Sequence, residues 1–127
     1  MSWLAGTGAR RRWPGQAPER SVHRAVVDLL QRSARPGVAW NHIPSGEKRE
    51  HQTGAILAGM GHKPGWPDIL LIKDGRCYGL ELKRERGRLS PAQIAAHEEL
   101  RAAGATIAVA YGIDEAIGTL KAWGMVR

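Results

Sequence analysis

The feature of this 127-residue chain that most restricts its fold is a β-hairpin signal near its middle. Two mainly aliphatic runs, 68–72 and 77–83, flank the pair Asp74-Gly75. An Asp-Gly pair between two apolar runs is a strong indication of a tight turn between antiparallel strands. Side chains alternate along a strand, so leucines of the second run point one way while Glu81 and Lys83 point the other. The hairpin is therefore expected to carry charge on one face of a sheet.

The rest of the chain predicts helices and strands on either side of this hairpin. A helix is expected over 18–33, where Val22, Val26, Leu29 and Leu30 recur at helical spacing, and a short strand over 38–43. The segment 44–65 is predicted to be a loop with one short helical turn near 55–60. Ser90-Pro91-Ala92-Gln93 is a typical helix start for a helix to about residue 103. A strand over 106–111 and a helix over 113–123 complete an α/β fold, a small mixed β-sheet flanked by helices.

The composition favours a polyanionic partner. Lysine plus arginine number 19 and aspartate plus glutamate 12, which gives a formal net charge of +7. Nucleic acid is the first expectation and an anionic membrane surface the second. No apolar run approaches a membrane span, and the single cysteine, Cys77, indicates a reducing compartment. We expect a cytoplasmic protein with a basic arm at 1–17 and one domain at 18–127.

Three charged residues in and beside the hairpin suggest chemistry. Asp68 opens the first strand, and Glu81 and Lys83 leave the same face of the second. A hairpin of this length can bring Asp68 close to Glu81, with Gly79 leaving room beside them. Two adjacent carboxylates repel each other, and a divalent cation relieves that repulsion. An exposed polar strand face with a weak ion pair is the alternative for an isolated Glu-x-Lys.

The ordered set Gly65-Trp66-Pro67-Asp68, hairpin, Glu81-Leu82-Lys83 resembles the PD-(D/E)XK nuclease signature. With Leu89 to Gln93 and Arg101 to Ala105, the chain resembles the VRR-NUC branch in particular, over about Glu19 to the C-terminus. That branch includes small stand-alone phage proteins and a domain of a larger repair nuclease. The resemblance implies a restriction-endonuclease-like core.

The resemblance also implies roles for individual residues. Asp68, Glu81 and the backbone carbonyl of Leu82 would hold Mg²⁺, for which Mn²⁺ would substitute, and Lys83 would position or activate the attacking water. Gln93 would sit near the site and contact substrate or a ligand, in addition to capping its helix. Glu19 matches an upstream acidic position and is a further possible metal ligand, although His23 stands where relatives often carry Gln.

Other residues are expected to contact DNA or to be structural. The predicted DNA contacts are Lys63, Arg84, Arg86, Arg88 and His97, the last of which can equally be a helix-surface histidine. Trp40 and Trp66 can stack on an unpaired base, but core packing is the preferred interpretation of Trp40. The spacing of the histidines and Cys77 matches no compact zinc motif.

The resemblance implies a Mg²⁺-dependent endodeoxyribonuclease in the cytoplasm of a bacterium or a phage-infected host cell. The resemblance to stand-alone relatives, together with the size of the chain, implies selectivity for branched DNA, such as a Holliday junction, and action as a homodimer. Two alternatives remain open at this point. One is a flap or nicking nuclease that acts as a monomer. The other is a DNA-binding module that keeps the fold but does not cut.

Overall fold

The structure, a computed structural model, describes residues 18–44 and 51–127. The predicted basic arm at 1–17 lies outside the described residues. Eight elements follow one another along the described chain: α1 (Glu19–Ser33), β1 (Ala39–His42), α2 (His51–Gly59), β2 (Ile69–Lys73), β3 (Arg76–Lys83), α3 (Pro91–Ala102), β4 (Thr106–Tyr111) and α4 (Ile113–Ala122). In this part of the chain, no helix is both long enough and apolar enough to span a bilayer.

The predicted hairpin is present. Asp74 and Gly75 both have positive φ angles, 52° and 75°. Left-handed backbone at both central positions is what a two-residue hairpin turn requires, because it matches the twist of the strands on either side. The turn fixes the pairing of β2 with β3, from Lys73 opposite Arg76 to Ile69 opposite Leu80.

The hairpin occupies the centre of a four-stranded sheet in the order β1-β2-β3-β4. β1 pairs with β2 and β2 with β3 in antiparallel directions, whereas β3 and β4 are parallel. A parallel neighbour needs a crossover connection, and α3 provides it. The predicted mixed sheet flanked by helices is thereby confirmed.

The main core lies between the sheet and helices α1 and α4. Val22, Val26 and Leu30 of α1 are buried, as is Leu120 of α4. They form one apolar cluster with the inward residues of the sheet, which include Ile69, Leu71, Leu80, Leu82 and Ala110. Helix α3 contributes Ala96, His97 and Leu100 as its buried residues and contacts β4. Glu81 and Lys83 alternate with the core leucines of β3, so they lie on the opposite face.

The helix start at Ser90 has the predicted capping box. Ser90 Oγ accepts a hydrogen bond from the Gln93 backbone N–H at 3.1 Å, and the Ser90 N–H donates to Gln93 Oε1 at 2.8 Å. The helical turn predicted within 44–65 was too short, because helix α2 has nine residues. Gly54 and Gly59 weaken the helical signal of this segment, while Ala55, Leu57 and Ala58 between them are good helix formers.

Gly79 is the position where β3 must lack a side chain. A Cβ there would lie 2.7 Å from Pro67 Cγ and 2.7 Å from Ile107 Cδ1. Pro67 is buried and immediately precedes Asp68. The contact between Gly79 and Pro67 therefore helps to fix where the chain enters β2.

We predict that Gly79→Ala lowers the free energy of unfolding by about 1–3 kcal/mol, because the added methyl group overpacks this contact. Gly118→Ala is the control, since a Cβ at this exposed α4 position meets nothing within 4 Å. The control should raise stability by about 0.5–1 kcal/mol through its helix propensity. Urea unfolding of both variants checks the prediction, and equal effects of the two substitutions would contradict it.

Candidate functional site

The hairpin register places Asp68 directly across from Glu81. The last β2–β3 pair is Ile69 opposite Leu80, and one further step along both strands gives Asp68 and Glu81. Directly opposed residues of an antiparallel pair have Cβ atoms roughly 4.5–5.5 Å apart and share a face of the sheet. The two predicted carboxylates are therefore neighbours.

The Asp68 side chain extends the hydrogen bonding between β2 and β3 at the residue just before β2 begins. Its Oδ2 accepts a hydrogen bond from the backbone N–H of Leu82 at 2.7 Å. The N–H and C=O of one strand residue point to the same side, so the Leu82 carbonyl is directed toward the β2 side of β3 as well. Pro67, the next residue along, has no N–H to donate to it. A carboxylate and a backbone carbonyl, both hard oxygen donors, thus lie at the same edge of the site.

Glu81 is almost completely buried, with 2% of its surface exposed. Gln93 Nε2 donates to Glu81 Oε2 at 3.1 Å, and His97 Nε2 lies 3.3 Å from Glu81 Oε1. Burial lowers the pKa of His97, and the charge of Arg101 lowers it further. A neutral His97 donates from one nitrogen only, and among the described residues its Nδ1 has no partner, which favours the hydrogen on Nε2. Two α3 side chains therefore hold the Glu81 carboxyl in place.

The Glu81 carboxyl strongly favours its protonated form. Burial raises its pKa first, the charge and hydrogen bonding of Asp68 raise it next, and Lys83 opposes them, with a net pKa of about 9. At neutral pH a proton on Glu81 thus offsets the repulsion between the two carboxylates. A divalent cation would do the same and displace that proton.

Lys83 is the third member of the site. It is buried, with 7% of its surface exposed, and lies two residues after Glu81 on the same face of β3. Its backbone carbonyl accepts a hydrogen bond from Gly112 at 2.8 Å. The backbone of Gly87 packs on its aliphatic stem, so that a Cβ at Gly87 would lie 3.3 Å from Lys83 Cβ. The loop after β3 thereby restricts the lysine side chain.

The donor set suits a hard cation that keeps most of its own waters. Within 18–44 and 51–127, no three His, Cys, Asp or Glu side chains form a cluster that could hold a metal ion. Two carboxylates and a carbonyl do not make a closed cage, but Mg²⁺ commonly binds one or two carboxylates and completes its shell with water and phosphate. The residues present therefore fit such an ion.

The first helix contributes to the site from its N-terminus. Glu19 is exposed, and its charge is among those that raise the pKa of Glu81. His23, one turn later, packs edge-on against His42 with ring centroids 4.5 Å apart. His42 Nδ1 lies 3.0 Å from the backbone carbonyl of Asp68. The sequence assigned His42 no role, because its nearness to Asp68 depends on the β1–β2 register.

The predicted DNA contacts are divided between surface and interior. Arg84, Arg86 and Arg88 are exposed in the loop that leaves β3. Lys63 is also exposed and forms an ion pair with Glu99 at 3.4 Å. His97 is not a helix-surface histidine, because only 1% of its surface is exposed. It contacts Glu81 instead.

Two solved structures share this fold. One, described as "VRR_NUC domain protein", has a TM-score of 0.69 and 24% identity, over 84% of this chain and 88% of that chain. The other, described as "VRR_NUC domain", has a TM-score of 0.57 and 18% identity, over 83% of this chain and 97% of that chain. No protein-family model and no curated protein sequence matches the chain. The resemblance inferred from the sequence motifs is thus confirmed as a shared fold.

The raised pKa of Glu81 predicts that the metal-free protein loses stability as pH rises. Between pH 4.5, the ordinary value, and about 9, the folded state binds a proton that the unfolded state has released. Stability therefore falls across this window by up to about 1.4 kcal/mol per pH unit for one proton. Glu81→Gln should flatten this dependence.

Thermal unfolding in EDTA from pH 5 to 9 measures the effect, with exposed Glu98→Gln of α3 as the control. Adding Mg²⁺ or Mn²⁺ should restore the stability that the metal-free wild type loses at pH 8. Equal pH dependence of wild type and Glu81→Gln would show that Glu81 is not the responsible group.

Proposed function

We propose that this protein is a metal-dependent endonuclease that hydrolyses phosphodiester bonds in DNA. The observation that supports this most strongly is the convergence of Asp68, Glu81 and Lys83, with Glu81 inclined to hold a proton in place of a cation. A binding role alone requires no such buried group of charges. The fold shared with proteins described as VRR_NUC domains supports the same activity.

In this proposal Asp68, Glu81 and the Leu82 carbonyl hold Mg²⁺, and Mn²⁺ substitutes for it. The bound cation would lower the pKa of a water molecule and stabilise negative charge at the phosphoryl group. Asp68 keeps its orientation through its bond to the Leu82 N–H. Gln93 and His97 keep Glu81 in its orientation, so that little reorganisation accompanies the reaction.

Lys83 acts on the nucleophile and on the charge that develops. Water adds to phosphorus and loses a proton to solvent as the bond to the leaving 3′ oxygen breaks, and that oxygen takes up a proton from solvent. The Lys83 ammonium can donate a hydrogen bond to the attacking oxygen or to a phosphoryl oxygen, and its restricted stem keeps it there. An ammonium in a low-dielectric position stabilises that charge more strongly than it would in water.

Branched DNA cut by a homodimer is the substrate and assembly we propose. We propose that DNA shape, rather than base sequence, determines where it cuts. Exposed Arg84, Arg86 and Arg88 stand beside the site, where they can contact phosphates in a salt-dependent way. A two-fold dimer would present two sites to two symmetric strands.

The decisive test is cleavage of linear duplex, single-stranded, flap and four-way-junction DNA with Mg²⁺, Mn²⁺ or EDTA. We expect paired symmetric nicks in the junction that EDTA abolishes. Lys83→Ala should reduce the rate at least about 100-fold, the usual scale for loss of one such stabilising group. Asp68→Asn should reduce cleavage as strongly while DNA binding persists.

Arg20→Ala is a suitable control, because Arg20 is an exposed arginine on α1. Cleavage of flaps alone by a monomer would favour the flap or nicking nuclease over the junction enzyme. Binding without cleavage under every metal condition would favour the non-catalytic module and refute the proposal.

The two roles of Gln93 can be separated by comparing two variants. Ser90→Ala removes the cap acceptor of α3 without touching Glu81, so it should cost about 1 kcal/mol of stability and leave the cleavage rate nearly unchanged. Gln93→Ala removes both the cap and the bond to Glu81. It should lower stability similarly and also the cleavage rate, measured at saturating metal below both melting temperatures. Equal rates for the two variants would leave Gln93 a capping role only.

A further inference from the structure

A groove of about 750 Å³ lies between the outer side of α1 and the edge strand β1. Arg24 and Gln31 line it from the helix, and Trp40, Asn41 and His42 line it from the strand. Its volume is within the range of roughly 300–1,000 Å³ that is typical of ligand sites. The proposed metal site does not explain what this groove does.

The groove adjoins the candidate metal site through β1. His42, one of its lining residues, places Nδ1 3.0 Å from the Asp68 carbonyl. The next residue, Ile43, donates its backbone N–H to the same carbonyl at 2.8 Å. Asp68 also binds the Leu82 N–H of β3 through its side chain. A ligand in the groove would therefore lie beside the residues that hold the proposed cation.

The lining offers a flat apolar surface with hydrogen-bonding groups around it. Trp40 packs against the core but is only half-buried, so part of its side chain remains accessible in the groove. Asn41 Oδ1 accepts from the His42 N–H at 2.9 Å, which leaves the Asn41 amide NH₂ as a donor. Gln31 is exposed and its amide can both donate and accept. Such an amide can pair with the edge of a planar heterocycle while the ring stacks on tryptophan.

The charge of the groove is compatible with a nucleotide. Arg24 supplies an exposed guanidinium that can contact a phosphate. Asp28 also lines the groove, but its carboxylate forms an ion pair with Arg32 at 3.1 Å. The Asp68 carbonyl is only an acceptor, so when His42 bonds to it through Nδ1–H, His42 Nε2 is left as an acceptor.

We propose that this groove binds an unpaired nucleobase of the DNA substrate, stacked on Trp40, with the adjoining phosphate near Arg24. The inference rests on the proposed nuclease function and makes it more specific. Flaps and single strands contain unpaired bases, and a four-way junction exposes one when a base pair at its branch point opens, whereas intact duplex stays paired and stacked. The groove would thus give a small domain selectivity for branched DNA without a separate recognition module.

The test compares flap DNAs that differ only in one unpaired position, which carries either a base or an abasic tetrahydrofuran residue. The abasic residue is placed in turn at each unpaired position next to the branch, and binding is measured by fluorescence anisotropy in EDTA. At one position the wild type should bind the base-containing DNA about 10-fold more tightly than the abasic DNA, which is the usual effect of one stacked base. Trp40→Leu should remove that preference.

Arginine variants distinguish the groove from general charge effects. Arg24→Ala should weaken binding of the base-containing and abasic DNAs by the same factor, because it contacts phosphate in this proposal. Arg20→Ala, on the same helix and outside the groove lining, should weaken binding less. Equal loss from both arginine variants would mean that the groove has no special role.

Photocrosslinking keeps the test valid if Trp40→Leu fails to fold. A 5-iododeoxyuridine at the unpaired position should crosslink the wild type within β1, at Trp40 or His42. A crosslink at Trp66 instead, or equal affinity for the base-containing and abasic DNAs at every position, would overturn the inference while leaving cleavage intact. Absence of both DNA binding and metal-dependent cleavage would instead refute the proposed function, and this inference with it.

Discussion

The pairing of β2 with β3 is the constraint on which the rest of the site depends. The two-residue turn at Asp74-Gly75 fixes the register, and that register sets Asp68 opposite Glu81. A shift of one residue would move every side chain of a strand to the other face of the sheet. In β3, Leu80 and Leu82 would then turn away from the core and Glu81 would turn into it, so the core and the site are specified by the same register.

The β3 strand accommodates a buried carboxyl because its two faces have different neighbours. One face packs leucines against α1 and α4, and the other faces α3, which supplies Gln93 and His97 to Glu81. A buried polar group costs free energy unless it is hydrogen-bonded, and a buried charge costs more. Two hydrogen-bonding partners, and the proton that the raised pKa keeps on Glu81, reduce that cost, and in our proposal a cation replaces that proton.

The edge strand β1 links the proposed metal site to the groove that we propose for an unpaired base. The backbone carbonyl of Asp68 meets both His42 and Ile43, so the end of this strand is held at the start of β2. Asn41 engages the N–H of His42, which helps to protect an exposed sheet edge from pairing with another chain. The same short strand thus contributes to the fold, the site and the groove.

Local signals in the sequence determined most of the fold. The Asp-Gly turn, the capping box at Ser90 and the spacing of apolar residues in α1 act between near neighbours, so they could be recognised without coordinates. The length of the nine-residue α2 was underestimated, because Gly54 and Gly59 weaken the helical signal that the residues between them support.

For the site, the sequence determined the residue types and the tertiary structure decided their environments. The alternation of β3 placed Glu81 and Lys83 on one face, and the hairpin brought Asp68 near them. Only the packing of α3 on the sheet showed that His97 is buried against Glu81, and only the β1–β2 register showed that His42 meets Asp68. Burial, pKa and hydrogen-bond partners depend on residues far apart in the chain, and no local pattern encodes such distances.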